Sequence, residues 1–358
     1  MNPHHYGLIL AGGRGTRFWP RSRKRSAKQV LNVIGDRSLI QATVDRLSPV
    51  IPPERLWVLT NDHLRDIVIQ QLPEVPKKQI LAEPVQRNTA PAIGLAAQIL
   101  HTLDPKAIMG VFPSDHVIAR ESRYRACVRA ALKGAGKGHL MVVGIQPRWP
   151  ETGYGYIEFP SGSRPGEADP LPVRRFHEKP VLPKAKRYVR AGNFFWNSGM
   201  FFWQTGVLLE ELRRHLPRTA TVLASLPAFS SRRFAEALEK AFPLCDNISI
   251  DFAVMEKAHG VHGIAADDFG WNDVGSWNAV YELLERDANG NAIELESIAL
   301  DSHNNFVDAR GKMVALVGVR DLIVVDTPDA LLVVSRDRAQ QVGDIVKTLE
   351  KRNRHDLL

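Results

Sequence analysis

Four apolar runs, Leu8 to Leu10, Leu56 to Leu59, Ile108 to Phe112 and Leu140 to Val143, show no polar face and end at polar residues or glycine. That is the pattern of strands buried on both sides in a parallel sheet. Between them, Leu39 to Leu47, Leu64 to Leu72, Thr89 to Leu103 and Tyr124 to Leu132 carry apolar residues at helical spacing. Strand and helix therefore alternate as far as Ile145, which predicts a doubly wound α/β sheet with ligands at the carboxyl ends of its strands. From Glu151 to about Glu285 strand and helix patterns mix, with aromatic and Gly-rich turns. After Asp287 the pattern changes to short strand-like runs near Phe306, Met313 to Val317, Leu322 to Val325 and Leu331 to Val334. Their spacing of roughly 8 to 9 residues fits a small β-sandwich or a short β-solenoid. A last helix follows, with Val342, Ile345, Val346 and Leu349 on one face. The expected division is 1–286 and 287–358.

A chain of 358 residues can bury a core without disulfides or metals, and two domains suit its length. Cys127 and Cys245 are its only cysteines. They fit a reducing cytoplasm and exclude a four-cysteine zinc site or a disulfide framework. The amino terminus has no basic leader before an apolar stretch, and no long apolar run occurs, so the expectation is a cytoplasmic protein that neither enters nor crosses a membrane. The 47 Lys and Arg exceed the 39 Asp and Glu, giving a net charge of +8. The distribution is more informative. Arg14, Arg17, Arg21, Arg23, Lys24, Arg25 and Lys28 follow the first strand with no acid among them, so positive potential is expected beside one loop.

That loop, LILAGGRGTRFWP from Leu8 to Pro20, interleaves glycines, which let backbone approach phosphates, with arginines that offer planar donors. It matches neither the Walker spacing nor the dinucleotide GxGxxG pattern. Lys28 could reach a phosphate chain or be a solvated charge. In LAEPVQRNTAP, Leu81 to Pro91, Asn88 or Thr89 suits a helix cap, and the backbone near Pro84 could read a base edge. Asp115, in VFPSDHV just past a buried strand, can hold a hard cation such as magnesium. His116 reads better as a structural hydrogen-bonding residue. Asp273 in FGWNDVGSW is a second metal carboxylate or a cap for a helix starting near Ser276. ETGYGYIEF, FHEKP and NFFWNSGMFFW supply polar groups on an aromatic frame, among them Glu178 to accept hydroxyl protons, Lys179 to meet a phosphate and Asn197 to do either. The aromatics of the last run are expected to be core.

With AGGRGTRFWP, EPVQRNTAP, FPSDH, GYGYIE, FHEKP, WNSGMF and WNDVGSW in this order, the chain resembles the mannose 1-phosphate guanylyltransferases of the sugar nucleotidyltransferase superfamily over nearly its whole length. It departs from them at Phe18, where Leu is usual, and at Ala27, where Pro is usual. The resemblance implies a Rossmann-like α/β catalytic domain with a mostly parallel central sheet, followed by a short left-handed β-helix. It implies magnesium as cofactor, and GTP, mannose 1-phosphate, GDP-mannose and pyrophosphate as partners. Nucleic acid and membrane are not expected, and a homodimer is compatible with it. By position, Gly12, Gly13, Gly15, Thr16 and Arg17 would hold the triphosphate, with Ala11 also among the nucleotide-binding residues and Pro84, Asn88 and Thr89 around the guanine. Arg17, Lys28 and Lys179 would act in catalysis, and Gly153, Glu178, Lys179 and Asn197 would bind the sugar phosphate. Asp115 and Asp273 would hold the metal. Many bacterial members carry a cupin-type isomerase domain after the transferase, so a chain of this length is expected to lack mannose 6-phosphate isomerase activity. The alternatives are a guanylyltransferase for a heptose or glucose phosphate, a non-catalytic sensor of sugar nucleotides, and a nucleic-acid binder using the basic loop.

Overall fold

Each of the four apolar runs forms a strand, and they lie in one sheet. In the computed structural model, which describes residues 2–167, 169–293 and 297–358, the first part of the chain runs β1 (His5–Leu10), α1 (Leu39–Leu47), β2 (Leu56–Asn61), α2 (Asp62–Gln71), β3 (Ile80–Glu83), α3 (Thr89–Leu103), β4 (Ile108–Pro113), β5 (Val117–Ile118), α4 (Glu121–Gly136) and β6 (Leu140–Ile145). The middle adds β7 (Tyr156–Glu158), β8 (Leu171–Pro172), β9 (Arg175–His177), α5 (Leu182–Ala191), β10 (Phe194–Gln204), α6 (Thr205–His215), α7 (Pro217–Ala224), α8 (Phe234–Ala241), β11 (Val261–Ala265), β12 (Trp271–Asn272) and α9 (Trp277–Leu283). The last part holds β13 (Ala292–Ile293), β14 (Ser297–Leu300), β15 (Phe306–Asp308), β16 (Val314–Val317), β17 (Leu322–Asp326), β18 (Leu331–Ser335) and α10 (Val342–Lys351).

The central sheet has the order β3-β2-β1-β4-β10-β6-β11-β8, with β7 and β9 attached at β10. β1 pairs in parallel with β2 and β4, as β6 does with β11. β10 runs antiparallel between β4 and β6. It is apolar on both faces because helices cover both: Phe195, Trp196, Phe201, Phe202 and Trp203 are all buried. One cluster packs Ile93 and Leu100 of α3 with Leu208 and Leu212 of α6. The other packs Val44 of α1, Val68 of α2 and Leu132 of α4. β10 also breaks register with β6 between Asn197 and Phe201. Such a bulge re-aims side chains locally, and this one falls at the residue expected to meet the sugar.

The last part is a short β-helix. β13, β15 and β17 pair in parallel as one face, and β14 pairs in parallel with β16 as another. Its inner turns are laddered by asparagines: Asn305 donates from N and Nδ2 to Asn291 Oδ1 (3.0 and 3.0 Å), and Asn305 Oδ1 accepts from Leu322 N (3.0 Å). β13 and β14 escaped the sequence reading because their runs are short. A shared core binds this unit to the rest, joining Phe18, Trp19, Val274 and Trp277 to Phe306, Ile323, Leu332, Val342 and Val346.

The basic loop after β1 lies at that junction, which corrects the expected picture of free positive potential. Arg14 pairs with Glu350 (2.7 Å), Arg21 with Asp308 (2.5 Å) and Arg23 with Asp329 (3.0 Å). Much of the charge that suggested a nucleic-acid surface docks the β-helix instead. The Arg21 and Asp308 side chains are only 13% and 7% exposed. Asp308→Ala therefore strands a buried guanidinium and is expected to cost about 3–5 kcal/mol in urea unfolding. Glu236→Ala, which opens an exposed pair, is the control. A midpoint shift no larger than that control contradicts the docking role.

Candidate functional site

Two clefts open at the carboxyl ends of the central strands, and one lysine stands between them. The first, about 520 Å³, is lined by Leu10, Gly12, Gly13, Gln29, Leu59, Glu83, Gln86, Asn88, Thr89, Ala92, Ser114, Asp115 and Asn247. A side chain at Gly12 or Gly13 would meet nothing within 4 Å, so this backbone faces open space. Gln29 Nε2 donates to the carbonyls of Ala11 (2.7 Å) and Gly13 (3.0 Å), and Gln86 Nε2 donates to that of Gly12 (2.6 Å). Because the peptide is planar and trans, holding these carbonyls also fixes the direction of the N–H groups that follow. Ala11, expected among the nucleotide-binding residues, is buried, its N–H is taken by Leu59 O (2.8 Å) and its carbonyl also accepts from Thr60 Oγ1 (3.0 Å).

Asn88 and Thr89 line this cleft and also serve structure. Asn88 caps α3 by accepting from Thr89 N (2.9 Å), and Thr89 Oγ1 accepts from Ile250 N (2.9 Å). Pro84 is not among the lining residues; its neighbour Glu83 is. Sequence reasoning missed Glu83, although a carboxylate at the carboxyl end of a buried strand is the same signal that marked Asp115. Burial pushes its carboxyl up to about 8.

The second cleft, about 740 Å³, is lined by Arg17, Arg148, Lys179, Gly153, Tyr154, Asp273, Gly275 and Gln340, among others. Its three cations, Arg17, Arg148 and Lys179, face three carboxylates, Glu151, Asp273 and Glu282, so the wall can meet both an anion and hydroxyl groups. Arg17 Nη1 donates to Gln340 Oε1 of the β-helix part (2.7 Å), so the carboxyl-terminal unit helps hold a cleft residue. Gly153 N donates to Glu151 Oε1 (2.7 Å). Lys179 Nζ rests on Glu178 Oε1 (2.8 Å), and its side chain remains 63% exposed. Glu178 and Asn197 are not among the residues lining this cleft; they sit together around Gly155, where a Cβ would be 2.5 Å from Glu178 Oε2 and 3.4 Å from Asn197 Cβ.

Lys28 is no solvated charge. It is 5% exposed, and Nζ donates to Asp115 Oδ2 (2.9 Å) and to the Asp273 carbonyl (2.6 Å). Gly15, at φ +60, lets the loop press against it, since a Cβ there would be 2.6 Å from Lys28 Cβ; Thr16 then opens a short 3-10 turn ending at Phe18. The approach of the Asp273 backbone to Lys28, opposite Asp115, has a structural cause. β12 pairs with β5, Trp271 opposite Ile118 and Asn272 opposite Val117, so a two-residue ribbon draws the distant loop alongside. Asp273 does not cap α9, whose N-terminal Ser276 makes no side-chain cap bond. Its Oδ1 instead accepts from the Tyr154 hydroxyl (2.5 Å).

Electrostatics keep this junction charged where charge is useful. Burial works to raise the Asp115 carboxyl, but the Lys28 ammonium outweighs it and holds it below its ordinary value. Its side chain is still 38% exposed and can reach a ligand. Burial drops His116 to about 4, so it stays neutral. Its Nδ1 accepts from Trp271 Nε1 (3.1 Å), which agrees with the structural reading. Non-glycine residues with positive φ mark both clefts: Asn88 (64°), Lys179 (42°) and the β-branched, buried Val274 (46°). Such conformations cost roughly 1–3 kcal/mol each and persist only where the surroundings enforce them. At Val274 the enforcement is visible, its N–H donating to Asn272 Oδ1 (2.7 Å).

Among the described residues no group of three or more His, Cys, Asp or Glu is arranged to hold a metal. The Asp115 carboxylate lines the first cleft and the Asp273 carboxylate the second, and each offers the oxygen donors that suit a hard cation.

Comparison with known proteins agrees with this architecture. The profile of the family described as Nucleotidyl transferase matches residues 6–290, and that of the MannoseP isomerase/GMP-like beta-helix domain matches 295–349. The chain is 40% identical over 359 residues to a mannose-1-phosphate guanylyltransferase of Escherichia coli (strain K12), covering 98% of this chain and 74% of that protein. It is 38% identical over 354 residues to one of Sinorhizobium fredii, covering 98% and 68%. A solved structure from Thermus thermophilus, described as a mannose-1-phosphate geranyltransferase, superposes with a TM-score of 0.86 at 34% identity, over 97% of this chain and 99% of that one. With both its larger part and its β-helix matched, the chain belongs to the nucleotidyl transferase family, among the mannose-1-phosphate guanylyltransferases.

Proposed function

We propose that the chain transfers GMP from GTP to α-D-mannose 1-phosphate, releasing pyrophosphate and forming GDP-mannose. The observation that carries this reading is the junction itself: Asp115 and Asp273, remote in sequence, flank one buried ammonium between a cleft with open glycine backbone and a cleft with three cations. The triphosphate would lie along Gly12, Gly13, Gly15 and Thr16, and mannose 1-phosphate would lie beside Gly153, Glu178, Lys179 and Asn197. A phosphate oxygen of the sugar phosphate attacks the α-phosphorus as the bond to the bridging oxygen breaks and pyrophosphate leaves with that electron pair. The nucleophile is already an anion and needs no strong base. Catalysis then comes from positioning and charge neutralisation by Arg17, Lys28 and Lys179. Magnesium held by Asp115 and Asp273 would supply further neutralisation at the phosphates. The proposed division is a catalytic domain at 1–286 and a β-helix domain at 287–358. The proposed setting is the cytoplasm, where the nucleotide and sugar phosphate substrates are made; no helix among the described residues is long and apolar enough to cross a membrane. A homodimer is proposed with it, and the exposed Ile298, Leu300 and Val317 of β14 and β16 offer an apolar surface for it.

Glu83 supports guanine over other bases. Guanine presents N1–H and the exocyclic N2 amine side by side, a pair of donors that one carboxylate can accept, whereas adenine presents no such pair. The ionised form is required, and burial holds the unliganded carboxyl at about 8. Between about pH 7 and 9 the KM for GTP should therefore fall as pH rises through that value, and Glu83→Gln should raise KM and remove its share of the pH dependence. An unchanged profile in the variant rejects this role.

Asp115→Ala should lower magnesium-dependent turnover roughly a hundredfold or more while far-UV circular dichroism stays unchanged, measured by pyrophosphate release from GTP and mannose 1-phosphate. Near-normal activity in that variant rejects the site assignment. Faster turnover with glucose 1-phosphate and UTP or dTTP rejects the substrate pair.

A further inference from the structure

Between β10 and the short π-helical turn Asp251–Met255 lies a carboxyl that the reading above leaves without a task. Asn197, on the β10 bulge, has both ends of its amide engaged by protein. Its Oδ1 accepts from Gly199 N (3.0 Å), and its Nδ2 donates to Asp251 Oδ1 (2.7 Å). The backbone holds the same residue in place, Asn197 N donating to Gly155 O (2.8 Å). Asn197 therefore has one amide proton left for a ligand. Asp251 has more to offer, because among the described residues Oδ2 accepts no hydrogen bond from another residue.

We infer that Asp251 is a direct contact for the sugar hydroxyls, forming with Glu178 a two-carboxyl subsite for a hexose, and that Asn197 is the positioning residue that fixes its orientation. The inference rests on the transferase reading and adds a specificity residue beside Glu178 and Asn197. Hydroxyls donate as well as accept, and two carboxyls can take one proton each from neighbouring hydroxyls on one face of a pyranose. The surroundings fit a group built for a ligand. Glu178 Oε2 lies against the Gly155 backbone beside the Asn197 amide, so both acids bear on the same small volume. Burial, then the nearby Glu178, raises the Asp251 carboxyl, while the Asn197 bond and Lys179 oppose the shift. Glu256, one turn on, is also raised, by burial and then by Glu178 and Asp251. Crowding acids this way costs stability unless something interacts with them, and the hydroxyls of a sugar do so as neutral hydrogen-bond donors. The turn that carries Asp251 is itself tied to the first cleft, since Ile250 N donates to Thr89 Oγ1 and Ala90 N to Ile248 O (3.1 Å). One segment thereby joins the cap of α3 to the sugar subsite.

The test uses the full chain, with Asp251→Ala and Asp251→Asn, in initial-rate kinetics and in calorimetric titration with mannose 1-phosphate and its deoxy analogues, each lacking one hydroxyl. Both variants are expected to weaken mannose 1-phosphate roughly ten- to a hundredfold while KM for GTP stays within about twofold, as expected for losing a hydrogen bond to a charged group. Asn197→Ala is expected to weaken it less. One deoxy sugar should lose in the unaltered chain about what Asp251→Ala loses with the intact sugar, and the variant should lose little more on that analogue. A merely structural aspartate would not single out one hydroxyl. Equal penalties across all analogues in variant and unaltered chain, or no change in mannose 1-phosphate binding, overturn the inference, as does an unaltered chain that binds no hexose phosphate. If the unaltered chain binds the sugar but turns nothing over, and Asp251→Ala weakens that binding with the same hydroxyl selectivity, the transferase reading falls and this assignment stands.

Discussion

One buried ammonium organises the site. Lys28 can be charged inside the protein only because Asp115 Oδ2 and the Asp273 carbonyl satisfy it, and those two groups come from loops brought together by the β5–β12 ribbon. Removing water from a charge is expensive unless partners replace it. The lysine, the two loops and Gly15 above it therefore form one unit: shifting any one of them leaves a charge or a polar group unpaired. Phe18, whose ring lies 5.5 Å from the Lys28 Nζ, closes the apolar side of that enclosure and passes the constraint to the β-helix through Trp277 and Phe306.

The β-helix is accordingly more than an appendage. It pairs the arginines of the first loop, holds Arg17 through Gln340 and shares a hydrophobic core with the residues around Asp273. A catalytic loop rich in glycine is intrinsically mobile, and the structure reduces that freedom by fastening its far side to a second domain. Strain at Val274 and Lys179 fits the same economy, since conformations that cost free energy are kept where the packed surroundings over-determine them.

Much of this was legible in the sequence. The parallel strands, α1 and α3 to the residue, the change of pattern after Asp287 and the loops bearing Asp115 and Asp273 follow from apolar periodicity and from motifs that cluster after strands. Three things were not. The antiparallel β10 is apolar on both faces, so its pattern names a buried strand without naming its neighbours or direction. The pairing of Arg14, Arg21 and Arg23 with acids hundreds of residues away has no local signature, and a run of cations reads as free charge until its partners are seen. Asp251 sits in an irregular turn whose importance comes from its distance to Asn197, a tertiary quantity. Glu83 was within reach, since it ends β3 much as Asp115 follows β4.

Whether Asp115 and Asp273 converge on a single cation next to Lys28 is best decided by soaking crystals with manganese and a non-hydrolysable GTP analogue and recording anomalous scattering. One strong manganese peak is expected within ligand distance of both carboxylates and of the nucleotide phosphates, lost in an Asp273→Asn crystal. A peak held elsewhere, or one that persists unchanged in that variant, would refute the shared metal site.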